Sequence, residues 1–198
     1  MSSRRRIELP QPARGDARPL WELIAARRSV REFGRRPLRE EELSALLWSG
    51  QGITSATGGR AAPSAGALHP ITLSLADHRG VFRYLPARAE LEEVAAEDRR
   101  SHLAAAALGQ EVVAEAAATL VVTAEPAVLA RRYHDRVERY CILEAGHVAQ
   151  NVLLQATALG LAAVPVAAFH DDEVLAAVAL GPGHLALYLV AVGPRRPG

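Results

Sequence analysis

Lysine is absent from this 198-residue chain; all 23 basic side chains are arginine. That excludes a Schiff-base amine and a lysine general base. A single cysteine, Cys141, excludes an internal disulfide framework. No Cys/His run has zinc-ligand spacing. No apolar run reaches the length that spans a bilayer. The formal net charge is only +1, so the composition does not point to nucleic acid or an anionic membrane as a partner. Residues 1–18 hold Arg and Pro but no apolar stretch of secretory type, which makes the cytoplasm the expected location. What is abundant is apolar material: 49% of the residues are hydrophobic, enough for a sizeable core in one domain.

The pattern divides the chain into a flexible, disordered or extended arm at 1–18 and one domain at 19–198. Leu20, Leu23 and Ile24 predict a helix from Leu20 to Arg28. A second helix is expected over Leu38–Trp48, with Glu40, Glu41 and Glu42 at its positive end. Gly50–Gly66 is a Gly/Ser/Thr/Ala loop long enough to suggest function. Ile71–Ala76 and Val81–Leu85 read as a hairpin turning at His78-Arg79-Gly80. Leu91–Ala118 is Ala-rich and reads as helix, broken near Asp98 and Gly109. Strands are expected at Thr119–Thr123, Ala163–Phe169 and Leu185–Val192. Pro126–Leu161 carries one long helix or two, and Asp171 or Asp172 is expected to cap a short one. The order predicts an α/β (α+β) three-layer fold, a central mixed sheet flanked by helices. No Gly-x-Gly-x-x-Gly follows a strand and no Walker loop is present, which excludes those nucleotide folds.

Two short motifs carry chemistry when taken together. Pro63-Ser64-Ala65-Gly66-Ala67-Leu68-His69-Pro70 sets small side chains between two prolines, so its backbone N–H groups can approach a flat ring. Upstream, Arg27-Arg28-Ser29-Val30-Arg31 supplies permanent charge and forked donors for a phosphate. A flat ring joined to a phosphate suggests a mononucleotide such as FMN.

These motifs recur with Glu32-Phe33, Leu46-Leu47-Trp48, Gln51-Gly52-Ile53-Thr54, Arg60-Ala61-Ala62, Gly80-Val81-Phe82-Arg83-Tyr84, Glu144-Ala145-Gly146-His147, Gln150-Asn151 and Val164-Pro165-Val166. Over about residues 20–195 the chain resembles the nitroreductase-family flavoproteins, and within them the SagB-type dehydrogenase branch. The resemblance implies an FMN-dependent oxidoreductase built as an intertwined homodimer, with both subunits contributing to each site. It implies two-electron hydride transfer through flavin N5, from NAD(P)H to an organic acceptor such as a nitroaromatic or quinone. By position, Arg27, Ser29 and Arg31 would hold the phosphate and the polar edge of the ring, with Arg28 helping and Arg195 as a second phosphate contact. Arg31 would face the N1/O2 edge. Pro63, Ser64, Ala65 and Gly66 would lie against the ring from the partner chain. Pro165, Val166, Ala167 and Ala168 would pass along it near N5.

The chain departs from that pattern at two places. Ala167-Ala168 stands where relatives commonly have glycine, adding a methyl beside the ring. Arg132-Tyr133 stands where azoline-oxidising members carry Lys-Tyr. Arginine holds its proton too tightly to be a base. Tyr133 is left as the candidate catalytic base, with the Arg132 guanidinium beside it. Two alternatives therefore stand beside the reductase: a dehydrogenase oxidising thiazoline or oxazoline rings of a ribosomal peptide, and an inactive flavin-fold partner subunit.

Other residues read structurally. Glu144, His147 and Asn151 share one helix face and form either a polar cluster near the cofactor or a buried network bracing the helix. Trp21 and Trp48 belong to the core or to a dimer interface. His69 packs near the flavin or lies on the surface. Cys141 reads as an inert core thiol. His134-Asp135 and His170-Asp171-Asp172 are not expected to bind metal.

Overall fold

The structure, a computed structural model, describes residues 4–12 and 18–196. Seven strands form one sheet: β1 (Arg6–Glu8), β2 (Ile71–Asp77), β3 (Gly80–Leu85), β4 (Glu90–Ala95), β5 (Ala118–Ala124), β6 (Leu161–Val166) and β7 (Leu185–Pro194). Their order across the sheet is β1-β4-β3-β2-β5-β7-β6. Every pairing between these strands is antiparallel, where a mixed sheet was expected.

Among the described residues there are seven α-helices: α1 (Leu20–Ala26), α2 (Glu40–Gln51), α3 (Arg100–Ala106), α4 (Glu111–Glu115), α5 (Ala127–Tyr133), α6 (Val137–Ala158) and α7 (Asp171–Ala177). Alternation along β5 explains the three layers. Leu120 and Val122 join the core beneath α2 and α6, whereas Val121 points into the core shared with α3 and α7. The α2–α6 face is packed tightly at Gly50, where a Cβ would sit 2.7 Å from Leu73 and 3.2 Å from Val148.

The start of α2 is fixed by Glu42, which is 1% exposed. Its carboxylate accepts from Arg36 Nη1 and Nη2 and from the Arg39 backbone N–H, each at 2.8 Å. Burial pushes this carboxyl up, but those hydrogen bonds outweigh it and hold the group below its ordinary range.

Helix was expected from Leu91 onward, yet Glu90–Ala95 is strand. Leu91 is buried against β3, while Glu92, Glu93 and Glu90 face Arg4, Arg5 and Arg6 at 3.3–3.8 Å. Cross-strand pairing overrides the helical preference of Ala and Glu here. It also draws Arg6–Glu8 of the expected arm into the sheet as an edge strand. β6 ends at Val166, short of Phe169. The N-cap of α7 is His170; Asp171 and Asp172 lie inside its first turn and favour the positive helix end instead.

Candidate active site

The chain after α1 runs as a strip along the outer edge of the sheet. Val30 N–H donates to the Ala163 carbonyl of β6 at 3.0 Å, Gly34 N–H donates to Pro194 O at 2.8 Å, and Phe33 bridges Arg195. A Cβ on Gly193 would come within 2.8 Å of the Phe33 ring, so this close approach needs glycine. The strip thus spreads Arg27, Ser29 and Arg31 along one margin, with Val30 at Ala163 in β6 and Phe33 at Arg195 beyond the start of that strand. The Arg27, Arg31 and Arg195 side chains make no hydrogen bond or ion pair among the described residues, and the last two are exposed. Arg28 differs: its Nη1 donates to the Ala25 and Arg27 carbonyls at 2.8 Å and closes the C-terminal end of α1. Beyond β6, Ala167 and Ala168 are exposed, and Ala168 O accepts from Gln110 Nε2 at 3.0 Å.

A second group forms around the small-residue loop. Gly66, Ala67 and His69 all have positive φ, at 61°, 54° and 53°. A non-glycine residue in that region costs about 1 kcal/mol, so the loop is held against its own backbone preference. What holds it is specific. His69 N–H donates to Ser64 Oγ at 2.9 Å, Ala67 N–H to Ser64 O at 3.1 Å, and Asn151 Nδ2 to Ala61 O at 3.2 Å. Gly66 rests on the end of α5: a Cβ built there would meet Tyr133 Oη at 2.7 Å and Arg132 Nη1 at 2.9 Å. The Arg132 guanidinium lies 5.6 Å from the Tyr133 ring centre, and Tyr140 packs edge-on against Tyr133 at 4.9 Å.

Beneath this loop lie buried polar groups. Arg60 Nη1 donates to Gln51 Oε1 at 2.5 Å. Burial pulls the Arg60 guanidinium below its ordinary value, against the attraction of Glu144 and Tyr84. Glu144 is 2% exposed, and Ser64 and Arg60 face it, yet neither carboxyl oxygen meets hydrogen-bond geometry. Burial therefore pushes its carboxyl above the ordinary range. His69 is pulled down by burial and by Arg60, and its Nδ1 has no partner.

The structure thus brings Pro63, Ser64, Ala65 and Gly66 to Arg132 and Tyr133. It separately lays the Arg27–Arg31 segment along β6 at Ala163, with Pro165 and Val166 toward one end of that strand and Arg195 beyond the other. No hydrogen bond or ion pair joins the two groups among the described residues. Glu144, His147 and Asn151 do not form one network: Glu144 is buried, His147 is exposed, and Asn151 braces the loop. Trp21 and Trp48 lie outside the core of this chain, 69% and 39% exposed. Sequence reasoning has Gln51, Arg60 and Tyr84 only in the motifs that carry the resemblance and gives them no place in the site.

A family model described as the nitroreductase family matches residues 24–194. A Methanocaldococcus jannaschii protein, described provisionally as a nitroreductase, is 40% identical over 161 residues, 78% of this chain and 81% of that protein. A solved structure from Ralstonia eutropha, also described provisionally as a nitroreductase, superposes with a TM-score of 0.89 at 30% identity, over 100% of this chain and 93% of that one. The NADPH:FMN oxidoreductase of Vibrio harveyi complexed with NAD+ shares the fold, with a TM-score of 0.68 at 22% identity, over 90% of this chain and 69% of that one.

Proposed function

This chain belongs to the nitroreductase family of oxidoreductases, and from that membership we propose that it is an FMN-dependent enzyme working as a cytoplasmic homodimer. Its donor is a reduced nicotinamide, and its acceptor is an organic molecule such as a nitroaromatic or a quinone. The observation that carries the reading is the pair of half-sites, one rich in unpaired guanidiniums and one built on a strained small-residue loop.

The residues present fit FMN. Arg27, Arg31 and Arg195 have donors free for a phosphate and for the polar edge of a ring, and Ser29 adds a hydroxyl. Arg28 serves through its backbone, since its side chain closes α1. Ala167 and Ala168 offer exposed backbone where a ring can approach. FMN, when bound, supplies two-electron hydride chemistry at its N5. Arg31 stabilises negative charge at the ring edge, and the end of β6 orients the ring. Pro63–Gly66 of the second copy closes over it and excludes water. Leu20, Trp21, Ile24, Trp48, Ile142 and Leu143 expose apolar surface on α1, α2 and α6, which supports pairing through these helices.

The test is the visible spectrum of the purified protein, followed by anaerobic NADH and NADPH. A yellow protein bleached by either donor supports the reductase. A colourless protein that takes up no FMN overturns it and leaves the inactive partner subunit.

A second reading is favoured by one contact, the Tyr133 hydroxyl against Gly66. In it the protein is a SagB-type dehydrogenase of thiazoline or oxazoline rings, and Tyr133 removes the proton beside Arg132. A yellow protein that neither nicotinamide bleaches supports this version. Undiminished azoline oxidation by Tyr133→Phe removes Tyr133 from the role.

A further inference from the structure

At one end of the sheet, where Asp77 pairs with Ala118 and Ala118 with Val192, lies a cavity of about 770 Å³. The Gly66 loop enters the sheet at the other end, where Ile71 pairs with Ala124. The length of β5 between these ends is roughly 20 Å, so the cavity is separate from the Tyr133 group; it adjoins the Arg31–Arg195 strip, since its lining residue Phe33 bridges Arg195. Its size is that of a small-ligand site.

The lining has three parts. Arg36 and Arg100 are fixed in place. Arg36 is held by Glu42, and Arg100 donates to Asp98 through Nε and Nη2 and to Ala116 O through Nη1 at 3.0 Å. They shape the wall, and their charges are largely balanced. Arg35 and Arg196 are free to bind. Arg35 has no hydrogen bond or ion pair among the described residues, and Arg196 has only a 3.5 Å contact with Glu32 at the surface. The third part is mixed: Phe33 and Ala117 give an apolar wall, and Glu115 is a lone carboxylate. A bare anion would gain nothing from that wall and would be repelled by Glu115. A ligand with an anionic head, a flat apolar body and hydroxyl or amino donors would use all three.

We propose that this cavity binds a nucleoside phosphate. Arg35 and Arg196 clamp the phosphate, the base lies on the Phe33 side, and Glu115 accepts from a sugar hydroxyl or a base amino group. Adjacent residues would then serve different ligands: Arg195 the phosphate of the proposed flavin, and Arg196, which lines this cavity, the nucleoside phosphate.

The experiment is calorimetric titration of the FMN-saturated protein with ADP, inorganic pyrophosphate and adenosine, with flavin fluorescence followed throughout. ADP is expected to bind saturably, more tightly than pyrophosphate or adenosine, without releasing flavin. Arg35→Glu combined with Arg196→Glu is expected to weaken ADP at least about tenfold, with flavin content and melting temperature unchanged. Both side chains are at the surface, so the fold does not depend on them. No ADP binding at millimolar concentration overturns the proposal. So does binding that displaces flavin, binding indifferent to the double substitution, or adenosine binding as tightly as ADP. Each of these outcomes leaves the flavin reading standing, because that reading rests on the spectrum alone.

Discussion

Gly66 and Tyr133 are in direct register: a Cβ on the glycine would lie 2.7 Å from the phenol oxygen, and the glycine φ is 61°. Alanine at this position meets both the backbone penalty and the hydroxyl. Gly66→Ala is therefore expected to lower turnover at least about tenfold by displacing the loop. Steady-state kinetics beside a melting curve check this. Unchanged turnover in a folded variant would detach the loop from catalysis.

If the two half-sites come from two copies, defects in each should complement. Arg31→Glu and Gly66→Ala are each expected to be impaired alone. Unfolded together and refolded as a mixture, they should recover about a quarter of wild-type activity, because about half the dimers are mixed and each carries one intact site. No recovery above the separate variants would mean that each chain builds its own site.

Glu144 makes stability fall as pH rises. Its folded-state carboxyl lies above the ordinary range, so the folded protein holds this proton where the unfolded chain releases it. Glu144→Gln is expected to be more stable than the parent by about 1–3 kcal/mol at alkaline pH and to lose that advantage in acid. Urea melts across pH test the sign. A variant less stable than the parent at every pH would show that the carboxylate is satisfied.

Glu42 acts in the opposite sense. Its folded carboxyl lies below the ordinary range, so its contribution is full above the unfolded value and is lost as pH falls through the folded one. Arg36→Gln is expected to cost about 1–3 kcal/mol at neutral pH. The deficit should shrink in acid as Glu42 protonates in both proteins, which the same urea melts would resolve.

Cys141 is buried, and burial together with Glu144 pushes its thiol up to about 11. The native protein should resist a thiol-reactive disulfide reagent at pH near 8 and react with it in denaturant. Rapid labelling of the native protein would show that α6 opens locally.

The sequence shows some of these features and hides others for physical reasons. β2, β3, β5 and β7 are legible because each is a short apolar run bounded by turns. β4 is not, because its strand state comes from pairing on both sides, with β3 across the short turn after Leu85 and with Arg6–Glu8 some 85 positions upstream, and not from its own Glu- and Ala-rich composition. The Arg27–Arg31 cluster is legible in kind, but its position depends on β6 and β7, which no local pattern announces. The contact of Gly66 with Tyr133 joins residues distant in the chain and depends on how α5 ends. Glu144 is visible as a polar residue on an apolar helix; that both its oxygens lack partners is a matter of packing alone.

The two margins of the sheet differ in a way that bears on aggregation. Open strand edges are templates on which further copies can add. At the β6 margin the strip takes one strand acceptor, Ala163 O, through Val30 N–H, while Phe33 and Gly34 pair with Arg195 and Pro194 at the end of β7. At the other margin β1 is three residues long and is flanked by Arg4, Arg5 and Arg6 paired with glutamates. A second chain arriving there would find few free backbone groups and would have to break ion pairs to reach them. Edge-to-edge fibril growth is therefore obstructed in part at one margin and penalised at the other. The exposed apolar residues Leu20, Trp21, Ile24, Trp48, Ile142 and Leu143 lie on helices and at neither strand margin.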